Sequence, residues 1–195
     1  MTNLLPRDGE AHLRRAFLAA PEADQWLERL LREVPWAQTP IKLFGKSVLQ
    51  PRLTAWYGDA DHPYGYSGVR LAPAPWPAYL LELRARVEAV AGIVFTGVLL
   101  NYYRDGQDSM GWHQDDESEL GPNPTVASLS LGTTRRFLLR RRDAPREKVE
   151  LRLGHGDLLV MGGATQHHWQ HAVPKASGVA GARINLTFRS VRREV

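Results

Sequence analysis

A mainly β architecture with flanking helices is predicted by three observations. Six short strand-like runs crowd the second half of the chain, separated by Gly-, Pro- and Asp-rich turns. Helical periodicity is confined to two stretches in the first half. No linker-like segment divides the 195 residues, a length that fits one domain. Short strands following one another without helices between them indicate an antiparallel sandwich or barrel.

The elements follow in order. Residues 21–34 read as a helix: Pro21 suits a first helical position, and Trp26, Leu27, Leu30, Leu31 and Val34 share one face. Residues 42–76 read as loop-rich, punctuated by Pro51, Gly58, Pro63, Gly65, Gly68, Pro73 and Pro75. Residues 78–91 read as a second helix, with Leu80, Leu83, Val87 and Val90 inward and Gly92 as its C-terminal cap. Strands are expected at 93–104, 125–131, 136–140, 149–153, 157–161 and 183–191. The single domain, 1–195, thus divides into N-terminal helices and loops (1–92) and a β core (93–195).

Composition narrows the chemistry. There is no cysteine, which excludes disulfide scaffolds, thiolate metal sites and a Cys nucleophile. The net charge of +4 is modest, but it rests on 21 Arg and only 4 Lys. Arg is suited to bidentate grips on carboxylate and phosphate, although coding bias gives the same excess. No apolar run approaches a membrane span, and the N-terminus lacks a signal-peptide pattern, so a cytoplasmic protein is expected.

The sharpest motif is Trp112-His113-Gln114-Asp115. On a strand, His113 and Asp115 project to one side. With a third ligand they make a two-His-one-carboxylate triad, which leaves open metal positions and suits non-haem Fe(II) oxygenases. Alone, such a triplet is more often a surface hydrogen-bonded pair. Four of the seven histidines, His155, His167, His168 and His171, lie downstream and should supply the third ligand. Spacing does not choose among the last three, and His155, in Gly-His-Gly-Asp, reads as a turn residue. In Arg183-Ile-Asn185-Leu-Thr187-Phe-Arg189, alternation puts both Arg, Asn185 and Thr187 on one face and the apolar residues on the other. Two Arg beside a metal suit a dicarboxylate such as 2-oxoglutarate. Asn101 and Tyr103 could add polar contacts. A zinc hydrolase could use the same ligands but has no need for paired Arg. Aromatics from Phe44 to Trp76 interleave with Lys42, Lys46, Arg52 and Arg70, a pattern that holds bases and phosphates. Arg135, Arg136, Arg140, Arg141 and Arg142 form a basic run, a candidate for phosphates or simply a solvated face.

Together, His113-Gln-Asp115, Asp116-Glu117, His171 and Arg183-x-Asn185-x-Thr187-x-Arg189 resemble the AlkB family of Fe(II)/2-oxoglutarate dioxygenases. The likeness extends through Asn101-Tyr-Tyr103-Arg-Asp-Gly, Ala127-Ser-Leu-Ser-Leu-Gly, Pro51-Arg52, Tyr57-Gly-Asp59 and Tyr64-x-Tyr66-Ser-Gly68. The resemblance implies a double-stranded β-helix (jelly-roll) core with an N-terminal nucleotide-recognition lid. It implies Fe(2+) on His113, Asp115 and His171, with His167 and His168 not ligands. It implies 2-oxoglutarate in a pocket of Asn101, Tyr103, Arg183, Asn185 and Arg189, with O2 as co-oxidant. Arg183 would hold the far carboxylate and Arg189 the near one.

Phe44 resembles a residue that fills the gap left by a flipped base, and Arg52, Tyr64, Tyr66, Asp116 and Glu117 would surround the damaged base. The implied reaction is oxidative demethylation of 1-methyladenine and 3-methylcytosine, releasing formaldehyde, succinate and CO2. The implied partner is alkylated DNA, met by a monomer. Between His171 and Arg183 the only cation is Lys175, where duplex-preferring relatives are more basic. Single-stranded DNA, double-stranded DNA and RNA therefore all stay open. Rival readings are a dioxygenase acting on protein or a small molecule, and an inactive nucleic-acid-binding protein.

Overall fold

The computed structural model describes residues 2–43, 46–60, 62, 64–66, 69–71 and 73–192, with backbone alone at 41–43, 46–47, 64–66 and 69–71. Its elements in chain order are β1 (Glu10–Arg14), α1 (Ala20–Glu33), β2 (Pro40–Leu43), β3 (Lys46–Leu49), β4 (Leu53–Gly58), β5 (Tyr64–Tyr66), β6 (Val69–Leu71) and α2 (Ala78–Ala91). The β core follows as β7 (Gly97–Tyr103), β8 (Met110–His113), β9 (Val126–Gly132), β10 (Arg135–Arg141), β11 (Lys148–Leu153) and β12 (Asp157–Gly162). A single helical turn, α3 (Thr165–His168), then leads into β13 (Trp169–Val173) and β14 (Arg183–Arg189). The strands form a six-stranded sheet, β1-β12-β9-β14-β7-β4, and a four-stranded sheet, β11-β10-β13-β8. Every pairing in both is antiparallel. This is the double-stranded β-helix class.

Both helices lie on the outer face of the larger sheet. Pro21 opens α1, and Gly92 closes α2 with a left-handed φ of 73°, which only glycine adopts without strain. Trp26, Leu30 and Val34 of the α1 region and Leu80, Leu83 and Val87 of α2 are buried on Val98, Leu100, Leu129, Ile184, Leu186 and Phe188. A second apolar cluster fills the space between the sheets, with Phe137, Leu139, Leu153, Leu159, Met161 and Trp169 at its heart. Each central strand is therefore buried on both faces, one face apolar and the other turned to the interior between the sheets.

Three segments differ from the sequence expectation. Residues 42–76 are not mainly loop: they hold the hairpins β2–β3 and β5–β6 and the edge strand β4. β4 carries no clean polar alternation because both of its faces are covered. β1, at the opposite edge, is polar and only Ala11 in it is fully buried, so its pairing with β12 supplies what its composition does not. The expected strand at 93–104 begins only at Gly97. Phe95 is apolar for another reason: it packs on Phe188 while its N–H donates to Glu88 in the α2–β7 connection.

Gly97 shows how tightly β4 and β7 meet. A Cβ at this position would overlap the outer ring carbons of Trp56, two residues along the paired strand. Gly97→Ala should cost about 1–3 kcal/mol, because a packed indole cannot retreat. Urea denaturation checks it: the midpoint should fall, and Trp56→Leu in the same chain should restore part of the loss. An unchanged midpoint for Gly97→Ala would contradict this packing.

Candidate active site

Two neighbouring strands bring the histidines together. β8 and β13 pair so that His113 stands opposite His171, and the two rings lie edge to face with centroids 4.1 Å apart. The ladder shifts register between His171 and Val173, and bulges of this kind re-aim side chains. Phe137 of β10 stacks on His171 at 5.3 Å and fixes the ring from behind. His113 Nδ1 lies 2.9 Å from the Gly111 carbonyl. It therefore donates there and leaves Nε2 with its lone pair, the tautomer a metal ligand needs.

Asp115 is not on the strand. β8 ends at His113, and Asp115 lies beyond it, where no ladder holds it. Two side chains do so instead. The Asp115 N–H donates to Gln166 Oε1 at 3.0 Å, and Asp115 Oδ1 accepts from Arg189 Nη2 at 2.6 Å and Nε at 3.2 Å. Asp115 Oδ2 is buried with no hydrogen-bond partner, 3.7 Å from His171 Nε2. The ligating atoms of His113, Asp115 and His171 all lie within 4.8 Å of one another. A buried carboxylate oxygen without a partner is costly, and a cation between it and two imidazole nitrogens resolves that cost. The donor set fits a divalent metal and leaves coordination positions open.

The protonation states agree. Burial pushes the Asp115 carboxyl up, but the Arg189 guanidinium and the neighbouring imidazoles outweigh it and bring it to about 2. Burial, reinforced by His113, pushes the His171 imidazole down to about 3. Burial likewise lowers His113. At neutral pH the triad is one carboxylate and two neutral imidazoles.

The triad opens on a cavity of about 430 Å³, mouth included, which runs between the sheets to Arg183. On β14, alternation sends Arg183, Asn185, Thr187 and Arg189 into this space and Ile184, Leu186 and Phe188 into the helix-covered core. Arg183 is fully buried over the Tyr103 ring, and its Nη2 donates to Ser130 Oγ at 3.0 Å. Its Nε and Nη1 have no hydrogen-bond partner, and burial lowers its affinity for the proton. Two idle donors on a buried guanidinium fit the carboxylate of an acid. Asn185 donates to Ser128 Oγ and accepts from Thr187 Oγ1. Asn101 Oδ1 accepts from Arg52 Nε at 2.7 Å, which ties Arg52, only 3% exposed, to the cavity lining.

The remaining expected residues are placed as follows. Asp116 is exposed and accepts from Gln114 Nε2 at 2.6 Å, and Glu117 is half-buried beside it. Tyr64 and Tyr66 are on β5, with side chains outside the described residues, as Phe44 is entirely. His167 and His168 end α3, and the His167 ring meets the Pro122 carbonyl. His155 accepts from the Gly132 N–H and meets Asp24, a structural turn. The basic run does not face one way. Arg135 is buried on the carbonyls of Asp105, Asp108 and Pro174, and Arg141 is buried between Asp8 and Asp143. Gln166 escaped the sequence reading: a lone Gln among histidines carries no signal, and its partner is a backbone N–H 51 residues away.

Comparison with known proteins follows the same lines. A family model described as the 2OG-Fe(II) oxygenase superfamily matches residues 10–189. Over 184 residues the chain is 46% identical to rat alpha-ketoglutarate-dependent dioxygenase alkB homolog 3, covering 90% of this chain and 62% of that protein. Over 180 residues it is 43% identical to mouse DNA oxidative demethylase ALKBH2, covering 87% and 75%. It thus spans less than two thirds of the length of the first of these relatives. The solved structure of OsALKBH1 superposes with a TM-score of 0.70 at 19% identity, covering 95% of this chain and 98% of that one, a likeness of fold.

Gln166→Leu, which keeps the volume and removes the acceptor, should weaken Mn(II) binding about tenfold or more, the usual effect of losing an outer-shell partner. Gln166→Glu retains an acceptor oxygen and should recover most of it. Titration calorimetry decides, and equal affinities for the Gln166→Leu variant and wild type would refute the role. The pH dependence has a definite sign. In the metal-free fold His171 takes its proton only near 3, whereas the unfolded chain takes it near the ordinary 6.5. Stability is therefore lost as pH falls below about 6.5, by up to about 1.4 kcal/mol per unit. The Tm of metal-free wild type should drop more steeply from about pH 7 to 5 than that of His171→Asn, and parallel slopes would contradict it.

Proposed function

Because the chain belongs to the 2OG-Fe(II) oxygenase superfamily and, within it, to the AlkB family, we propose that it oxidatively demethylates N-alkylated bases in DNA. Lesions on the Watson–Crick edge, 1-methyladenine and 3-methylcytosine, are the proposed substrates. The observation that carries the reading is the 43% identity to a protein named DNA oxidative demethylase, over three quarters of its length, in a chain whose donor set is complete. With O2 and 2-oxoglutarate, Fe(II) supplies the oxidation that turns an N-methyl group into N-hydroxymethyl, ending in formaldehyde, succinate and CO2.

The chain's own residues do the rest. His113, Asp115 and His171 hold the metal, and Arg189, by occupying Asp115 Oδ1, leaves Oδ2 to face it. Arg183 grips the far carboxylate of 2-oxoglutarate with the two donors that no protein acceptor occupies. Arg189 receives the near carboxylate, with Asn101, Tyr103 and Asn185 lining the pocket between. Phe137 and the apolar residues between the sheets keep water from that end. On the substrate side, Phe44, Arg52, Tyr64, Tyr66, Asp116 and Glu117 surround the base. A methyl on the pairing edge is unreachable in a stacked duplex, so the base is flipped or met in a single strand. Flipping costs least where methylation already prevents pairing.

The test supplies Fe(II), ascorbate, 2-oxoglutarate and oligonucleotides bearing 1-methyladenine or 3-methylcytosine as single-stranded DNA, duplex DNA and RNA. Mass spectrometry should show loss of one methylene per lesion. His171→Ala should abolish the loss and His167→Ala should retain it. Arg183→Gln should raise the KM for 2-oxoglutarate about 10- to 100-fold, the value of charged hydrogen bonds in a buried site. Turnover of 2-oxoglutarate with every nucleic acid unchanged would point to a protein or small-molecule substrate and overturn the assignment.

A further inference from the structure

Arg135, the first residue of β10, is the second buried arginine near Tyr103 and is 2% exposed. Its Nη1 donates to the Asp105 carbonyl at 3.0 Å, and its Nη2 donates to the carbonyls of Asp108 and Pro174 at 2.8 Å each. These bonds staple the β7–β8 connection to the β13–β14 connection. The two connections also hold each other: the Gly106 N–H donates to the Val179 carbonyl, and the Ala176 N–H to the Gly106 carbonyl, both at 2.8 Å. They lie so close that a Cβ at Gly106 would overlap the Ala176 carbonyl oxygen. Stapling accounts for the donors of Arg135. It does not account for a full charge, since neutral donors serve carbonyls as well and cost less to bury.

No carboxylate balances that charge. Asp108 commits its own to Arg104: Oδ2 accepts from the Arg104 N–H at 2.9 Å and from Nε at 2.8 Å, and Oδ1 accepts from Nη2 at 2.8 Å. Asp105 Oδ1 accepts from the Gln107 N–H at 2.8 Å. Arg135 Nε has no hydrogen-bond partner. The Tyr103 ring, which lines the cavity, joins this group to the site: Arg135 Cζ lies 5.6 Å from its centroid and Arg183 Cζ 5.1 Å. Burial lowers the proton affinity of both arginines, and at Arg183 the charge of Arg135 adds to the effect. Two buried guanidiniums over one ring, neither meeting a carboxylate among the described residues, are unfavourable until an anion joins them.

We propose that Arg135 is a positioning residue for the cosubstrate, which acts through Tyr103 by adding a second positive charge to the end of the cavity where Arg183 takes the far carboxylate of 2-oxoglutarate. It does not touch the cosubstrate. Its charge makes that end selective for a dianion over an oxo acid with a neutral tail, and the incoming carboxylate compensates two cations at once. The inference rests on the reading above in which Arg183 grips the far carboxylate.

The test separates charge from stapling. Titration calorimetry on the full chain loaded with Mn(II) gives Kd for 2-oxoglutarate and for 2-oxopentanoate, which ends in a methyl group in place of the far carboxylate. Both acids share the near end, so the ratio of the two Kd values isolates the far one. R135Q keeps donors for the carbonyls and loses the charge, and the preference for 2-oxoglutarate should fall about tenfold. R135K keeps the charge and loses the planar fork, so the preference should stay nearly unchanged even as Tm falls. Equal preference in R135Q and wild type would overturn the proposal and leave Arg135 a staple. So would a loss in R135K as large as in R135Q, because geometry rather than charge would then decide. Should R135Q not fold, R183Q carries the test: a residual preference of about fivefold should survive there, supplied by Arg135, and its complete loss would overturn the proposal. An R183Q variant with the full wild-type preference would instead refute the reading of Arg183.

Discussion

The pair of Arg189 and Asp115 is the constraint around which the site is arranged. Both are essentially excluded from water, and a buried charge persists only with a partner. Arg189 ends the strand in the middle of the larger sheet, while Asp115 lies just past the end of an edge strand in the smaller one. Their contact therefore joins the two sheets at the point where the histidines converge. It also divides the labour of one carboxylate. One oxygen satisfies the guanidinium, and the other is left without a hydrogen bond, facing two neutral imidazoles. This ion pair thus helps set the orientation of the carboxylate and, with the imidazoles, its charge state.

Further along the cavity the balance is reversed. Arg183 has no carboxylate partner, and Arg135 nearby is satisfied only by backbone carbonyls. One end of the cavity holds a compensated ion pair and the other an uncompensated cation. The asymmetry orients an incoming dicarboxylate before any metal contact is considered, because only one end lacks an anion. The Arg52–Asn101 bond connects the cavity lining to the N-terminal half of the chain.

Where one residue's pattern decides its environment, the sequence was sufficient. The period-2 pattern from Arg183 to Arg189 separated the cavity-facing from the core-facing residues, because a central strand buried on both faces leaves alternation no other meaning. The two helices were legible for the same kind of reason: a proline start, a glycine stop and an apolar stripe. What could not be read depends on partners distant in the chain. Gln166 is ordinary until Asp115 is known to lack a ladder, and Arg135 and Arg141 look like surface charge until carbonyls or aspartates arrive beside them. β1 and β4 failed as strands on composition because their stability comes from the strands they join. Spacing left His167, His168 and His171 open as the third ligand and only the resemblance pointed to His171, because the helical turn that ends at residue 168 is a boundary that spacing does not reveal.

The position of β14 has a consequence for how the molecule comes into being. The last strand in the chain is the one that stands between β9 and β7. Until it arrives, the larger sheet is two half-sheets, each with a bare, apolar edge, and loop closure over much of the chain must precede the final pairing. Such edges invite association with other chains, so the polypeptide is exposed to aggregation until β14 pairs. The same order governs the site. Arg189 arrives with β14, so the orientation of Asp115 is completed only with the fold.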